Sequence, residues 1–138
     1  MSSMKNFNQA VIAEYRANGG KLSGQMANSS LILLTTSGAK SGQPQTVPLG
    51  FTTEDDSIIV IASNAGATDH PDWFINLRAN PLVTIERGSE RYQAHTVIAE
   101  GQERERLRAY IAKPMPYYAE HEQKTSRAIP IVILKRSV

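Results

Sequence analysis

Two pairs of apolar runs in this chain stand too close together to be joined by helices. Only Glu54-Asp55-Asp56-Ser57 separates Thr46–Thr53 from Ile58–Ala62, and only Arg87-Gly88-Ser89 separates Leu82–Glu86 from Glu90–Ala99. A parallel pair needs a crossover of about a dozen residues or more, so these neighbours must form antiparallel hairpins. The run Leu31–Thr36 reaches the next strand through Ser37-Gly38-Ala39-Lys40-Ser41-Gly42-Gln43-Pro44, a glycine-rich connection that also suits a tight turn. Ile58–Ala62 is apolar on both faces and is expected in the middle of the sheet. In Glu90–Ala99, Tyr92, Ala94, Thr96 and Ile98 alternate with Arg91, Gln93, His95 and Val97, the period of a strand with one buried face.

Helices are expected at four places. Met4, Phe7, Val11 and Tyr15 lie on one helical face over about 4–17, with Gly19-Gly20 as its stop. Pro71 suits a first helical turn, Asp72 favours its positive end, and the helix closes before Asn80-Pro81. Gln102–Ala112 is a charged helix with Leu107, Tyr110 and Ile111 facing in, and Tyr117–Lys124 a short one. Ile129–Lys135 is a closing strand, with Pro130 placing it at an edge or a strand start. The order of the main elements is helix, three strands, helix, two strands, helix, strand. It predicts one α+β domain over 1–138, an antiparallel sheet curled into a barrel with helices outside.

Composition removes several classes of function. The 138 residues contain no cysteine, which excludes disulfides, thiolate metal sites and a cysteine nucleophile. Fifteen Lys and Arg are interspersed with thirteen Asp and Glu, giving +2 and no basic stripe, so no nucleic-acid partner is expected. No apolar run approaches the roughly 20 residues of a membrane span. The first residues carry no apolar signal region, so the reading is cytoplasmic. Met115 and Tyr117 allow peripheral contact with a membrane, but no basic amphipathic helix supports firm attachment. His70, His95 and His121 lack metal-ligand spacing, so no metal is expected, and no GxSxG elbow marks a hydrolase.

Three segments carry candidate chemistry. Gly38-Ala39-Lys40-Ser41-Gly42 can turn backbone N–H groups toward an anion, with Lys40 adding charge and Ser41 a hydroxyl. It matches neither the Walker A nor the GxGxxG spacing. The same sequence also serves as a plain hairpin connection with a solvated lysine. Ala62-Ser63-Asn64-Ala65-Gly66 followed by His70-Pro71-Asp72-Trp73 puts small residues at a strand end, then a helix N-terminus that attracts oxyanions. Here the plainer reading is that Trp73 and Phe74 dock the helix on the barrel. Tyr117-Tyr118, after Met115-Pro116, is the third segment, suited to covering a ligand or packing its own helix down.

Together these segments resemble the deazaflavin-dependent nitroreductases. Phe7-Asn8, Val11-Ile12 and Tyr15 through Lys21 resemble that family's first helix, and Leu33 through Gly42 its phosphate loop. Ala62 through Gly66 with His70 through Pro81 resembles its second signature, and Arg127 through Ile133 its closing strand. The resemblance spans about 7–136 in one register. It implies a split β-barrel related to flavin-binding oxidoreductases, binding coenzyme F420 and passing a hydride to a quinone, activated alkene or nitroaromatic acceptor. By position it implies cofactor contacts from Ala39, Lys40, Ser41, Gln45, Thr46, Val47, Pro48, Leu49, Gly50, Ile61, Ala62, Ser63, Asn64, Asp72, Trp73, Phe74, Ile75 and Asn76. It implies catalytic roles for Ser63 and Tyr118, with Tyr118 over the pocket, whose shape turns on how Tyr15, Met26, Met115 and Tyr118 converge.

Ala39, Gln45 and Asn64 stand where the family often carries cations. Lys40 keeps the site cationic, with Lys21 and Arg78 as helpers. The loss keeps open a cofactor of FMN or FAD, or a non-enzymatic cofactor-binding protein on the same barrel. Related barrels often pair, which leaves room for a homodimer.

Overall fold

The structure, a computed structural model, describes residues 2–23 and 31–137. Met26 lies outside the described residues. Along the chain run α1 (Ser2–Ala17), β1 (Leu31–Ser37), β2 (Pro44–Gly50), β3 (Thr52–Glu54), β4 (Ser57–Ile61), a 3-10 turn (Asn64–Gly66) and α2 (Asp72–Ala79). These are followed by β5 (Leu82–Arg87), β6 (Glu90–Ile98), α3 (Gly101–Ile111), α4 (Tyr117–Gln123) and β7 (Ile131–Arg136). The seven strands form one antiparallel sheet in the order β2-β1-β5-β6-β7-β4-β3. Its first and last members, β2 and β3, are consecutive in sequence. The run expected as a single strand over Thr46–Thr53 breaks at Phe51, and that break lets the chain leave one end of the sheet and join the other.

Alternation along β4 and β7 divides the interior in two. Ile58, Val60, Val132 and Leu134 point into the barrel with Ile32, Leu34, Ile85 and the α2 residues Trp73, Phe74 and Leu77. Ile59, Ile61, Ile131 and Ile133 point outward, under Leu107 and Ile111 of α3, Met115 and Tyr118. This second core explains where α3 and α4 must lie. Tyr110 does not join it, in contrast to the helical reading. It is 42% exposed, and its hydroxyl donates to the Thr53 carbonyl at 2.6 Å. Tyr15 is buried under α1 and is not part of the cleft lining. Its hydroxyl accepts from the Gly88 N–H (2.8 Å) and donates to the Leu31 carbonyl (2.9 Å). Beside it Arg16 makes a two-pronged ion pair with Glu86, at 2.9 and 2.7 Å. These bonds tie α1 to the β5–β6 hairpin.

Candidate functional site

A cleft of about 550 Å³ opens between the end of β2, the end of β4, the N-terminus of α2 and the start of α4. Val47, Pro48, Leu49, Gly50, Ile61, Ser63, Asn64, Asp72 and Trp73 line it, all of them residues singled out from the sequence. Asn8, His70, Pro71 and Tyr117 complete the lining. Asp72 also borders a second hollow of about 400 Å³, so one residue is common to the walls of both. The second hollow is lined by the loop residues Ala39, Lys40 and Ser41 with Gln45, Ile75 and Asn76.

The loop is held by its own backbone and by one buried side chain. Gly38 N–H donates to Gln43 O at 2.8 Å and Gly42 N–H to Gly38 O at 2.9 Å, with Gly42 at φ +72°. Asn76, 6% exposed, accepts from the Ala39 N–H (2.9 Å) and donates to Thr36 Oγ1 (3.1 Å) and Gln45 Oε1 (2.9 Å). Ala39 and Gln45, two of the residues found in place of family cations, are therefore fastened to α2. Among the described residues, the N–H groups of Lys40 and Ser41 have no protein partner, and Lys40 has no carboxylate partner. Two free donors beside an unpaired ammonium fit a phosphate or a carboxylate.

The third replacement, Asn64, sits at φ +49°, in the left-handed region that asparagine tolerates, and donates to the Asp69 carbonyl at 3.1 Å. The cation that orders this segment is Arg127, which the sequence does not single out as a site residue. Its Nε donates to Ala67 O (3.0 Å), Nη1 and Nη2 to Ala62 O (both 3.2 Å), and Nη2 to Ser63 O (2.8 Å). Nη1 also donates to His70 Nδ1 at 3.0 Å. Guanidinium has no acceptor, so His70 Nδ1 is the acceptor and its proton stays on Nε2. Burial, reinforced by Arg127 and Arg78, holds the His70 pKa below the usual imidazole range, against a smaller opposing pull from Asp69. Arg78 itself lies over the Phe74 ring, 4.9 Å from its centroid, and lines a separate hollow rather than the loop.

Ser63 is 6% exposed at the mouth of the 3-10 turn, and its hydroxyl lies 2.7 Å from His121 Nδ1. Tyr117, one helical turn before His121, stands over β2. A Cβ added at Gly50 would come within 2.9 Å of its hydroxyl. Burial raises the Tyr117 pKa, which keeps the phenol a donor at neutral pH. Tyr118 points the other way, into the core under α3. Its hydroxyl donates to Ile129 O (3.3 Å) and accepts from Arg104 (3.2 Å). Met115 is buried with it, away from the cleft. Thr46, Ala62 and Phe74 also stand back from the cleft and the hollow: Thr46 pairs with Thr35 at 2.7 Å, and Ala62 and Phe74 fill the barrel. Adjacent residues on a helix point about 100° apart, so only the fold decides which of Tyr117 and Tyr118 faces the cleft. Among the described residues no group of three or more His, Asp or Glu is placed to hold a metal.

The fold and this cleft define an oxidoreductase of the split β-barrel class. Residues 8–136 match the family described as F420H(2)-dependent quinone reductase, and the chain belongs to that family. An F420H(2)-dependent quinone reductase of Mycobacterium tuberculosis is 33% identical over 128 residues, covering 90% of this chain and 86% of the relative. Two solved structures are similar over most of the chain. One, an F420-H2 dependent reductase, is 36% identical at a TM-score of 0.70 and covers 77% of this chain and 94% of its own. The other, described as a domain-swapped dimer, is 33% identical at 0.72 and covers 90% and 94%. No helix among the described residues is long and apolar enough to cross a membrane.

Proposed function

We propose that this chain binds reduced F420 along the cleft and transfers its reducing equivalents to a quinone. The observation that carries the reading is that Asp72 borders both an apolar-walled cleft and an anion-receptive hollow at Lys40. A flat ring fits between Val47–Gly50 and Ile61–Asn64, and an acidic tail fits the free N–H groups of Lys40 and Ser41. When bound, the reduced deazaflavin supplies a hydride. The protein's part is to hold ring and acceptor in register and to exclude water, the largest contribution available to a cofactor enzyme. Trp73 and Ile61 supply apolar wall, Ser63 and Tyr117 supply hydroxyl donors at the reacting end, and Lys40 anchors the tail. Activated alkenes and nitroaromatics are further acceptors of the same electron demand. Homodimer formation is supported by the domain-swapped dimer among the structural relatives.

The direct test is anaerobic oxidation of reduced F420 by a water-soluble naphthoquinone, followed by the return of the oxidised cofactor's absorbance. Turnover dependent on both substrates is expected; turnover with reduced FMN but not with F420 would move the chain to flavin chemistry. The two tyrosines separate in the same assay. Tyr118→Phe is expected to leave the turnover number unchanged and to cost about 1–2 kcal/mol of stability, since it loses the hydroxyl's bonds to Ile129 and Arg104. Tyr117→Phe removes a donor from the cleft and is expected to lower turnover about tenfold at unchanged stability. Equal losses in both variants would contradict this division of roles.

A further inference from the structure

We propose that Ser63 and His121 form a proton relay that completes quinone reduction, an inference resting on the reading of the chain as an F420H2-dependent quinone reductase. A hydride brings a quinone two electrons and one proton and leaves one oxygen anionic. The second proton must come from the protein or from water. Among the hydroxyls lining the cleft, Ser63 is bonded to a titratable side chain, His121 Nδ1, at 2.7 Å. His121 itself is half-buried on α4, its ring 5.6 Å from that of Tyr117. Histidine is the side chain suited to accept and release protons between pH 5 and 8.

The Ser63 O–H bond breaks as an O–H bond forms on the reduced acceptor's oxyanion. The Nδ1–H of the His121 imidazolium passes to Ser63 Oγ and restores the hydroxyl. The neutral imidazole then takes a proton from water. The net change adds one hydride and one solvent proton to the quinone.

The charged and titratable groups around His121 are few. On α4 and its end these are Tyr117, Glu120, Glu122 and Lys124. Glu122 is held by Arg108 through two bonds of 3.0 Å, and the stem of Lys124 lies over Gly66. Across the Ser63 turn stand Arg127 and His70, bonded to each other and to the Ala62–Ser63 carbonyls. Arg127 is engaged by those carbonyls and by His70, which leaves His121 as the side chain bonded to the Ser63 hydroxyl.

The test has two readouts. In the cofactor-free protein, the NMR titration and tautomer of the His121 ring should move when Ser63 is changed to Ala. Unmoved signals would show that the two side chains are uncoupled and overturn the relay. In turnover with reduced F420 and a naphthoquinone, kcat should fall as pH rises through the midpoint found for His121 by NMR. His121→Asn keeps a hydrogen-bonding group near the Nδ1 position but cannot relay a proton. It should lower kcat about 10²-fold, flatten that limb, and leave F420 affinity by Trp73 fluorescence unchanged. A His121→Asn enzyme with the wild-type kcat and pH limb overturns the relay alone. Wild-type protein that binds F420 yet reduces no quinone overturns the parent reading, and the relay with it.

Discussion

Arg127→Met is expected to unfasten the segment that carries Ser63 and His70, and to lower stability by about 2–4 kcal/mol. The guanidinium donates to the carbonyls of Ala62, Ser63 and Ala67 and to His70 Nδ1. Hydrogen bonds from a charged donor contribute about 1.5–3 kcal/mol each when buried, and these are only partly buried, so the sum is discounted. Met keeps much of the stem's packing, so the loss isolates the polar contacts. Arg127→Lys is expected to recover little, because an ammonium cannot fork to carbonyls on both sides of the turn. Thermal unfolding of the three proteins measures the effect, and the loss of F420 binding should follow the loss of stability. An Arg127→Met protein with wild-type melting and wild-type affinity would mean that the turn holds itself.

The second large effect is at Asn76. Asn76→Ala removes the acceptor of the Ala39 N–H and the donor to Thr36 and Gln45 in one change. Thr36, 2% exposed, is left with an unsatisfied hydroxyl, while Ala39 and Gln45 lie where water reaches them. A buried unpaired polar group costs about 1–3 kcal/mol, which sets the expected loss at about 2–3 kcal/mol. In a domain of this size that lowers Tm by roughly 10 °C. The same change releases the Gly38–Gly42 loop from α2, so F420 affinity should fall even at temperatures where the protein is folded. Asn76→Asp distinguishes the two roles. It keeps the acceptor for Ala39 but brings a second carboxylate beside Asp72, and is expected to bind an anionic cofactor worse than Ala. Affinity for F420 that is unchanged in both variants would remove the loop from the cofactor site.

The hairpins were legible because their links leave no room for a crossover. The Gly38–Gly42 loop and the α2 N-terminus were legible because glycine, proline and aspartate mark them locally. The rest depends on contacts between residues far apart in sequence. Arg127 reads as the approach to a closing strand, yet it reaches back more than 55 residues to His70, Ala67 and Ser63. His121 meets Ser63 across 58 residues, and nothing within α4 announces it. Tyr117 and Tyr118 are neighbours with opposite fates, because the second core beneath α3 takes one and the cleft the other. The break at Phe51 follows from barrel closure, a property of the whole sheet that a continuous β-prone run conceals.

In the proposed function the cleft and the Lys40 loop form one site for an acidic deazaflavin. The most direct measurement is titration of the purified protein with F420, FMN and FAD, following the fluorescence of Trp73, the sole tryptophan and part of the cleft wall. The account predicts selective, saturable binding of F420. It also predicts that Lys40→Ala weakens this binding about tenfold, equivalent to about 1.4 kcal/mol. Tighter binding of FMN or FAD than of F420, with no effect of Lys40→Ala, would contradict it.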